Sequence, residues 1–218
     1  NNKKANIVLD MDGEDVDDPK KLAEQFNNFF VDKTDRIVEA CPPDPVEVVN
    51  YMHEFVEKKD IGRFTFKTVG NRAVRQAISN LNPSEATGLD GIAVKWLKRF
   101  IHTLTPFMRH IVNRTILTSE YPERYKAGCI SPLPKKGDLK QIKNWRPVTL
   151  LSTCSRVVER VLNGQMKVYL EAYKLLPPQQ HAYRRGKSVV SAWSDLDFFV
   201  ARARDEGRHV SMLAQDMS

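Results

Sequence analysis

The 218-residue sequence predicts an α+β fold, mainly helical, on three observations. Apolar residues recur at helical spacing through most of the stretch from Pro19 to Leu117, and again from Val158 to Val200. Two short proline-punctuated runs, 129–133 and 145–151, flank a polar loop at 135–144, the pattern of a β-hairpin. Val210-Ser211-Met212-Leu213-Ala214-Gln215 is an apolar run of strand length, expected to be buried and to deliver Asp216 at its C-terminal end.

Taken in order, the chain opens on an acidic run (Asp10, Asp12, Glu14, Asp15, Asp17, Asp18) whose polarity predicts a flexible lead-in. Pro19 suits the first turn of a helix in which Leu22, Phe26, Phe29, Phe30 and Ile37 share a face, and Cys41-Pro42-Pro43-Asp44-Pro45 stops it. A short helix is expected at 46–58 and an extended piece at Phe64-Thr65-Phe66. Val69, Ala73, Ala77, Ile78 and Leu81 mark another helix, which ends before Asn82-Pro83. The turn chemistry of Thr87-Gly88-Leu89-Asp90-Gly91 leads into a helix with Ile92, Trp96, Leu97 and Phe100 on its apolar side, and a further helix runs to about Leu117. Beyond the hairpin, Val158, Leu162, Met166 and Tyr169 predict a helix closing before Pro177-Pro178 despite Gly164. From Ser188 another helix places Val189, Trp193, Leu196 and Val200 on one face. The expected division is an acidic lead-in with N-terminal helices at 1–62 and a second region at 63–218; no internal repeat occurs.

Composition narrows the function. With 41% hydrophobic and 28% charged residues the chain can bury a core, which sets it apart from disordered and collagen-like sequences. No apolar run approaches the roughly 18 residues of a membrane span, and Asn1-Asn2-Lys3-Lys4 lacks the order of a secretory signal, so no membrane partner is expected. Cys41, Cys129 and Cys154 fit neither a disulfide framework nor a zinc spacing, which points to a reducing, intracellular compartment. The net charge of +7 hides an asymmetry: residues 1 to 60 hold 8 Lys/Arg against 15 Asp/Glu, a balance of −7, which leaves +14 on residues 61 to 218. A body this basic attracts polyanions by releasing their counterions, nucleic acid being the usual one, with an interaction scaffold of packed helices as the bland alternative.

Three places carry candidate chemistry. Between 135 and 146, Lys135, Lys136, Lys140, Lys143 and Arg146 face a single acid, Asp138, giving +4 on one hairpin. Lysines supply mobile point charges, whereas Arg146, held between Trp145 and Pro147, offers a planar fork to phosphate oxygens. Asp216, at the end of an apolar run, is a candidate metal-binding carboxylate, though phosphoryl transfer through two metals needs several carboxylates converging. Gln179-Gln180-His181-Ala182-Tyr183-Arg184-Arg185-Gly186-Lys187-Ser188 sets two arginines, a lysine and an aromatic just before a helix, which suits phosphate and base contacts. No nucleophile elbow, phosphate-loop lysine motif or dinucleotide fingerprint is present.

The order of these pieces is informative. Asn82-Pro83-Ser84-Glu85-Ala86-Thr87-Gly88-Leu89-Asp90-Gly91-Ile92, Ile130-Ser131-Pro132-Leu133-Pro134-Lys135-Lys136-Gly137-Asp138 and Asn144-Trp145-Arg146-Pro147-Val148-Thr149-Leu150-Leu151 resemble the successive fingers motifs of reverse transcriptases from non-LTR retrotransposons, the LINE and jockey-like group. Gln180 to Ser188 is similar to that family's Gln-x-Gly-Phe-Arg-x-Gly-x-Ser segment, and Met212 to Ser218 to the start of its first palm motif. The resemblance covers 82 to 218, and Ala23 to Phe30 are similar to the helix preceding the fingers. Ala182 replaces the family's usual Gly, His181 an aromatic or apolar residue, and Gln215 an apolar one.

The resemblance implies the fingers and the beginning of the palm of an RNA-directed DNA polymerase, acting in cytoplasm and nucleus with an RNA template, a DNA primer and dNTP as partners. It makes Asp216 the first palm carboxylate, a ligand of Mg2+ and a catalytic residue, and sets Arg146 with Lys135 or Lys136 on the nucleotide triphosphate. Lys140, Lys143, Gln180, Tyr183, Arg184, Arg185 and Lys187 become nucleic-acid contacts. The adjacent aspartate pair that the family places downstream does not occur in the 218 residues, so this piece is expected to bind nucleic acid without polymerising alone. The alternative is a non-catalytic nucleic-acid-binding module derived from such a polymerase.

Overall fold

In chain order the elements are β1 (Leu9–Met11), β2 (Glu14–Val16), α1 (Pro19–Ala40), α2 (Asn71–Ser79), α3 (Val94–Arg99), α4 (Ile101–Thr118), α5 (Glu123–Lys126), β3 (Gly128–Pro134), β4 (Trp145–Leu151), α6 (Thr153–Ala172) and α7 (Val189–Asp205). They belong to a computed structural model that describes residues 7–11, 13–40, 62–83 and 87–214. The fold is α+β, as expected: helices with two separate antiparallel pairs, β1–β2 and β3–β4. It divides into two compact units, Asn1–Gln165 and Met166–Ser218. The helix expected at 46–58 lies outside the described residues, as does Asp216.

The first unit has two cores. In the larger, Val74, Ala77, Ile78 and Leu81 of the α2 region meet Val94 and Leu97 of α3, Met108 and Val112 of α4, and Val157, Val158 and Val161 of α6. Each set recurs at three- and four-residue spacing, so each helix turns one stripe inward. In the smaller, Leu22, Phe26 and Phe30 of α1 pack with Leu9 and Trp145. The Trp145 ring meets Phe26 edge-on at 5.4 Å, and its indole N–H donates to the Leu139 carbonyl at 2.9 Å. Trp145 thus ties hairpin, loop and α1 together in one side chain.

The larger core is closed by a joint between the turn at 88–91 and the start of α6. Gly88 runs so close to the end of β4 that a Cβ there would lie 2.5 Å from the Leu151 carbonyl carbon and oxygen and 2.6 Å from the Ser152 nitrogen. Only glycine permits that approach. Two residues on, the Asp90 carboxylate accepts from the Ile92 N–H at 3.1 Å and from the Thr153 N–H at 3.1 Å. The Ser152 hydroxyl accepts from the Ser155 N–H at 3.1 Å, so two of the free N–H groups opening α6 are satisfied, one of them by a carboxylate on the positive end of the helix. Two carboxamides add straps: Gln165 bonds both the N–H and the C=O of Lys67, each at 2.8 Å, and Asn113 does the same for Val69 at 2.8 and 3.0 Å. The piece around Phe64-Thr65-Phe66 therefore needs no strand partner and is not a strand.

Three expectations change. The acidic lead-in is not a free tail: Leu9–Met11 and Glu14–Val16 pair as β1 and β2, with Leu9 2% exposed, and the Asp10 N–H donates to the Lys140 carbonyl at 2.9 Å. The apolar residues between the acids supply burial, and the opposing lysine supplies countercharge, which a polarity count over the run does not register. The run 210–214 is not a buried strand; it has no regular secondary structure, and Met212 and Leu213 are 68% and 83% exposed. A strand exists only against another, and its own unit contains none among the described residues. The apolar faces of α3 and α7 also differ from expectation. Val94 and Leu97 are buried while Trp96 and Phe100 face solvent, and on α7 Val189 and Trp193 are exposed, with only Ala203 buried. α7 is set by local chemistry instead, a capping box in which Ser188 and Ser191 satisfy each other's backbone N–H groups at 3.2 and 2.8 Å.

Two outcomes follow from this packing. Gly88→Ala should lower unfolding stability by about 1–3 kcal/mol, because the added methyl meets backbone rather than a movable side chain; an unchanged urea midpoint would show that the turn stands clear of β4. Burial first, then the Glu159 carboxylate, pushes the Tyr121 phenol up to about 12, and burial first, then Cys154, pushes Tyr125 up to about 12. A phenol whose folded value is raised holds its proton better folded than unfolded, so its stabilisation is complete below the ordinary value near 10 and is lost as pH rises through 12. In an ultraviolet titration the Tyr121 and Tyr125 phenols should ionise late, and Tyr121→Phe should remove one late-ionising phenol; a titration in which that substitution removes no late-ionising phenol would contradict the burial of Tyr121.

Candidate nucleic-acid interface

The hairpin β3–β4 has two unlike faces. Its register pairs Pro134 with Trp145, Leu133 with Arg146, Pro132 with Pro147 and Ile130 with Thr149, and side chains alternate across a strand. Trp145, Pro147 and Thr149 therefore share the face that packs toward α1, and Arg146 and Val148 stand on the other with Leu133. That second face is open, Leu133 being 48% exposed and Val148 37%, and on the α1 side Ile130, Pro147 and Thr149 are exposed too, so Trp145 is the residue that packs there. Arg146 is exposed on it and, among the described residues, makes no ion pair. A cleft of about 590 Å3 opens on the α1 side, lined by Leu22, Phe26, Ile130 and Pro132 with Asp17 at its edge and no cation. That cleft carries no cation for a phosphate, and the hairpin's exposed guanidinium, Arg146, stands on the opposite face.

The loop joining the strands is ordered by its own polar groups. The Asp138 carboxylate accepts from the Lys140 N–H at 3.0 Å, the Asn144 carboxamide donates to the Asp138 carbonyl at 2.7 Å, and the 3₁₀ turn Ile142–Asn144 leads into β4. The lysines differ as a result. Lys135 is half-buried, its ammonium 3.4 Å from the Lys143 carbonyl, whereas Lys136 and Lys143 are exposed. Lys140 reaches both carboxylate oxygens of Asp15 in β2, at 2.8 and 2.6 Å. That carboxylate holds the Lys140 ammonium above the usual lysine range, so one of the loop's charges is already neutralised inside the molecule.

The second unit holds the other predicted contacts, and it separates them too. Arg184 forms a bidentate pair with Glu171 at 3.0 and 2.8 Å and donates to the Pro177 carbonyl at 2.9 Å, which holds the Glu171 carboxyl below the usual range. Its fork is used in closing the loop after α6. His181, a side chain 9% exposed, lies 3.1 Å from Asp195 and 2.7 Å from the Ser191 hydroxyl, while Lys187 stands 3.8 Å from Asp195. Gln180 and Arg185 are exposed. Tyr183 projects furthest, 92% exposed and in the left-handed backbone region at φ 60°, a conformation costly for a bulky residue and held here by the ties on either side. Sequence reasoning missed Asp15, Glu171 and Asp195 as partners of the basic residues; only the opposite charges of the lead-in and the loop carried a signal for the first, and nothing local announced the others. No group of three or more His, Cys, Asp or Glu side chains able to hold a metal occurs among the described residues.

Comparison with known proteins places this geometry in a family setting. No protein-family model matches the chain. It is 25% identical over 99% of its length to the transposon TX1 uncharacterized 149 kDa protein of Xenopus laevis. It is 27% identical over 70% of its length to the retrovirus-related Pol polyprotein from type-1 retrotransposable element R2 of Popillia japonica, and 23% identical over 69% to the probable RNA-directed DNA polymerase from transposon BS of Drosophila melanogaster. The chain spans only 16%, 20% and 17% of those proteins. In sequence the chain is thus similar, at modest identity, to proteins of non-LTR retrotransposons, among them probable RNA-directed DNA polymerases.

Proposed function

We propose that this chain is the nucleotide-side part of an RNA-directed DNA polymerase, one that extends a DNA primer on an RNA template. The observation that carries the reading is Arg146: a guanidinium with no acidic partner among the described residues, on the open face of a hairpin whose other face is locked to α1 by Trp145. A fork held this way meets triphosphate oxygens without first breaking a bond to the protein, and it costs little reorganisation as charge builds on the phosphates. Lys136 and Lys143 add mobile charge beside it, and Lys135 lines the loop's base. Tyr183 and Arg185 serve the template strand, by stacking and by phosphate contact.

In this reading Asp216 is one carboxylate of a Mg2+ site, a role that requires further carboxylates, and the described residues provide no cluster of them. Magnesium, when bound, would neutralise the phosphate oxygens around the transferred group. The chain's own share is to bind and orient: it holds template and nucleotide, and by itself it binds without incorporating nucleotides.

Two measurements test the reading. Binding of the chain to an RNA–DNA primer-template should weaken steeply as salt rises, and Asp15→Asn, which releases Lys140, should tighten binding at low salt and steepen the log–log slope by about 0.7–0.9 for one added phosphate contact. No binding at low salt would sink the proposal, and an unchanged slope would show that Lys140 never reaches the nucleic acid. In a complete polymerase carrying this region, Arg146→Ala should raise the KM for nucleotide by about tenfold or more while primer-template affinity changes little; equal losses in both would move Arg146 to the template backbone.

A further inference from the structure

We propose that α2 carries a second contact for nucleic acid, in which Arg72 and Arg75 hold phosphates of a duplex backbone; the inference rests on the nucleic-acid reading above and adds a site to it. α2 has two unlike sides. Val74, Ala77 and Ile78 are 0%, 6% and 0% exposed and fix the helix to the larger core. At about 3.6 residues per turn, Arg72, Arg75, Gln76 and Ser79 fall on the opposite side, and all four are exposed. The segment leading into α2 adds Arg63 and Lys67, both exposed, and from Arg63 to Asn82 the sequence contains no acid. Among the described residues none of these four cations makes an ion pair. They differ in this from Lys140 and Arg184, whose charges Asp15 and Glu171 already meet.

The backbone beneath these side chains is fixed. Gln165 holds the Lys67 N–H and C=O, and Asn113 holds those of Val69, so the chain enters α2 in one position and little ordering is needed on binding. Gly70 caps the helix without a side-chain bond, which leaves the first-turn N–H groups to add partial positive charge beside Arg72.

The side chains of the stripe decide what it fits. Guanidinium, carboxamide and hydroxyl groups are the donors that meet phosphate and sugar oxygens. The stripe offers no aromatic ring on which an unpaired base could stack, and no apolar side chain that would enter a bilayer. Cations that read charge alone gain most from the denser array, and a duplex presents one charge per about 1.7 Å of its axis against about 3.4 Å along one strand. The occupant is therefore a nucleic-acid duplex, held through its backbone without regard to sequence.

Fluorescence anisotropy of the full chain with a labelled RNA–DNA duplex of about 20 base pairs, over a salt series, tests the site. Arg72→Gln combined with Arg75→Gln should weaken binding at low salt by about tenfold or more and flatten the log–log slope by about 1.4–1.8, for two phosphates released. The control is Lys126→Gln combined with Arg202→Gln, which removes the same formal charge from cations already paired with Glu123 and Glu206; its slope should stay near the parent's. All four side chains are exposed, so thermal melting should show parent-like folding. If the parent binds the duplex and the α2 variant keeps the parent's slope, the α2 site is wrong and the nucleic-acid reading stands. Equal losses in the α2 variant and the control would show that net charge alone is at work, which also overturns the site. If polyglutamate of matched charge displaces the labelled duplex as well as unlabelled duplex does, the surface fits an acidic protein and the proposal fails. If the parent binds no duplex even at low salt, the failure is of the nucleic-acid reading itself, and the α2 site falls with it.

Discussion

The contact on which most of the first unit depends is the meeting of the turn at Gly88–Asp90 with the beginning of α6. Gly88 lets the turn touch the last peptide of β4, and Asp90 then bonds both the start of the α3 segment and the first N–H of α6. The Thr153 hydroxyl donates back to the Ile92 carbonyl at 2.5 Å, which closes the joint from the other side. Once α6 is set in this way, Val157, Val158 and Val161 face Val74, Ile78, Val94 and Leu97, and the larger core is complete. The motif Thr-Gly-Leu-Asp-Gly is thus structural here. Gly88 and Asp90 aim a helix and a hairpin.

Charge is distributed with the same economy. The lead-in at −7 and the basic body at +14 are not independent features, because Asp15 and Lys140 meet across the hairpin loop. The exposed ion pair adds little stability on its own. Its effect is selective: it pairs one lysine of the hairpin inside the molecule and leaves Arg146, Lys136 and Lys143 exposed and, among the described residues, without an ion pair. Glu171 does the same to Arg184 in the second unit. A formal charge count therefore overstates the cations of the hairpin loop and of the segment before α7, where Asp15 and Glu171 each hold one.

Much of the fold was legible because its elements are dictated locally. The spacing of Leu22, Phe26 and Phe30, of Ala77, Ile78 and Leu81, and of Val158 and Leu162 fixes helices that the structure contains, although Val74 rather than Ala73 is the buried residue of the first turn of α2, and the proline-bounded runs at 129–133 and 145–151 correspond to β3 and β4. The failures share one cause. Whether an apolar residue is buried depends on what lies opposite, and Trp96, Phe100, Val189 and Trp193 satisfy helical periodicity without having a partner layer. The run 210–214 has strand composition and no strand beside it. Of the candidate site, the hairpin and its cations were visible in composition, whereas the pairings that sort them into used and free arise from contacts 13 residues apart for Arg184 and 125 apart for Lys140.

The position of Arg146 follows from the prolines around it. In an antiparallel ladder, facing residues alternate between pairs that exchange two N–H···O bonds and pairs that exchange none. Pro132 faces Pro147, and Pro134 faces Trp145; a proline has no N–H to give, so both pairs must be of the second kind. The Lys135 N–H bond to the Asn144 carbonyl, at 2.7 Å, falls on the intervening parity, as it must. Leu133 and Arg146 then belong to the bonded class, with the Arg146 backbone held on a fixed side of the sheet. A slip of one residue would ask prolines to donate and would turn Trp145 out of its core while carrying Arg146 into the apolar cleft against α1, a double penalty. The three prolines therefore do for register what Trp145 does for docking. Together they leave the guanidinium of Arg146 one available face, the open one.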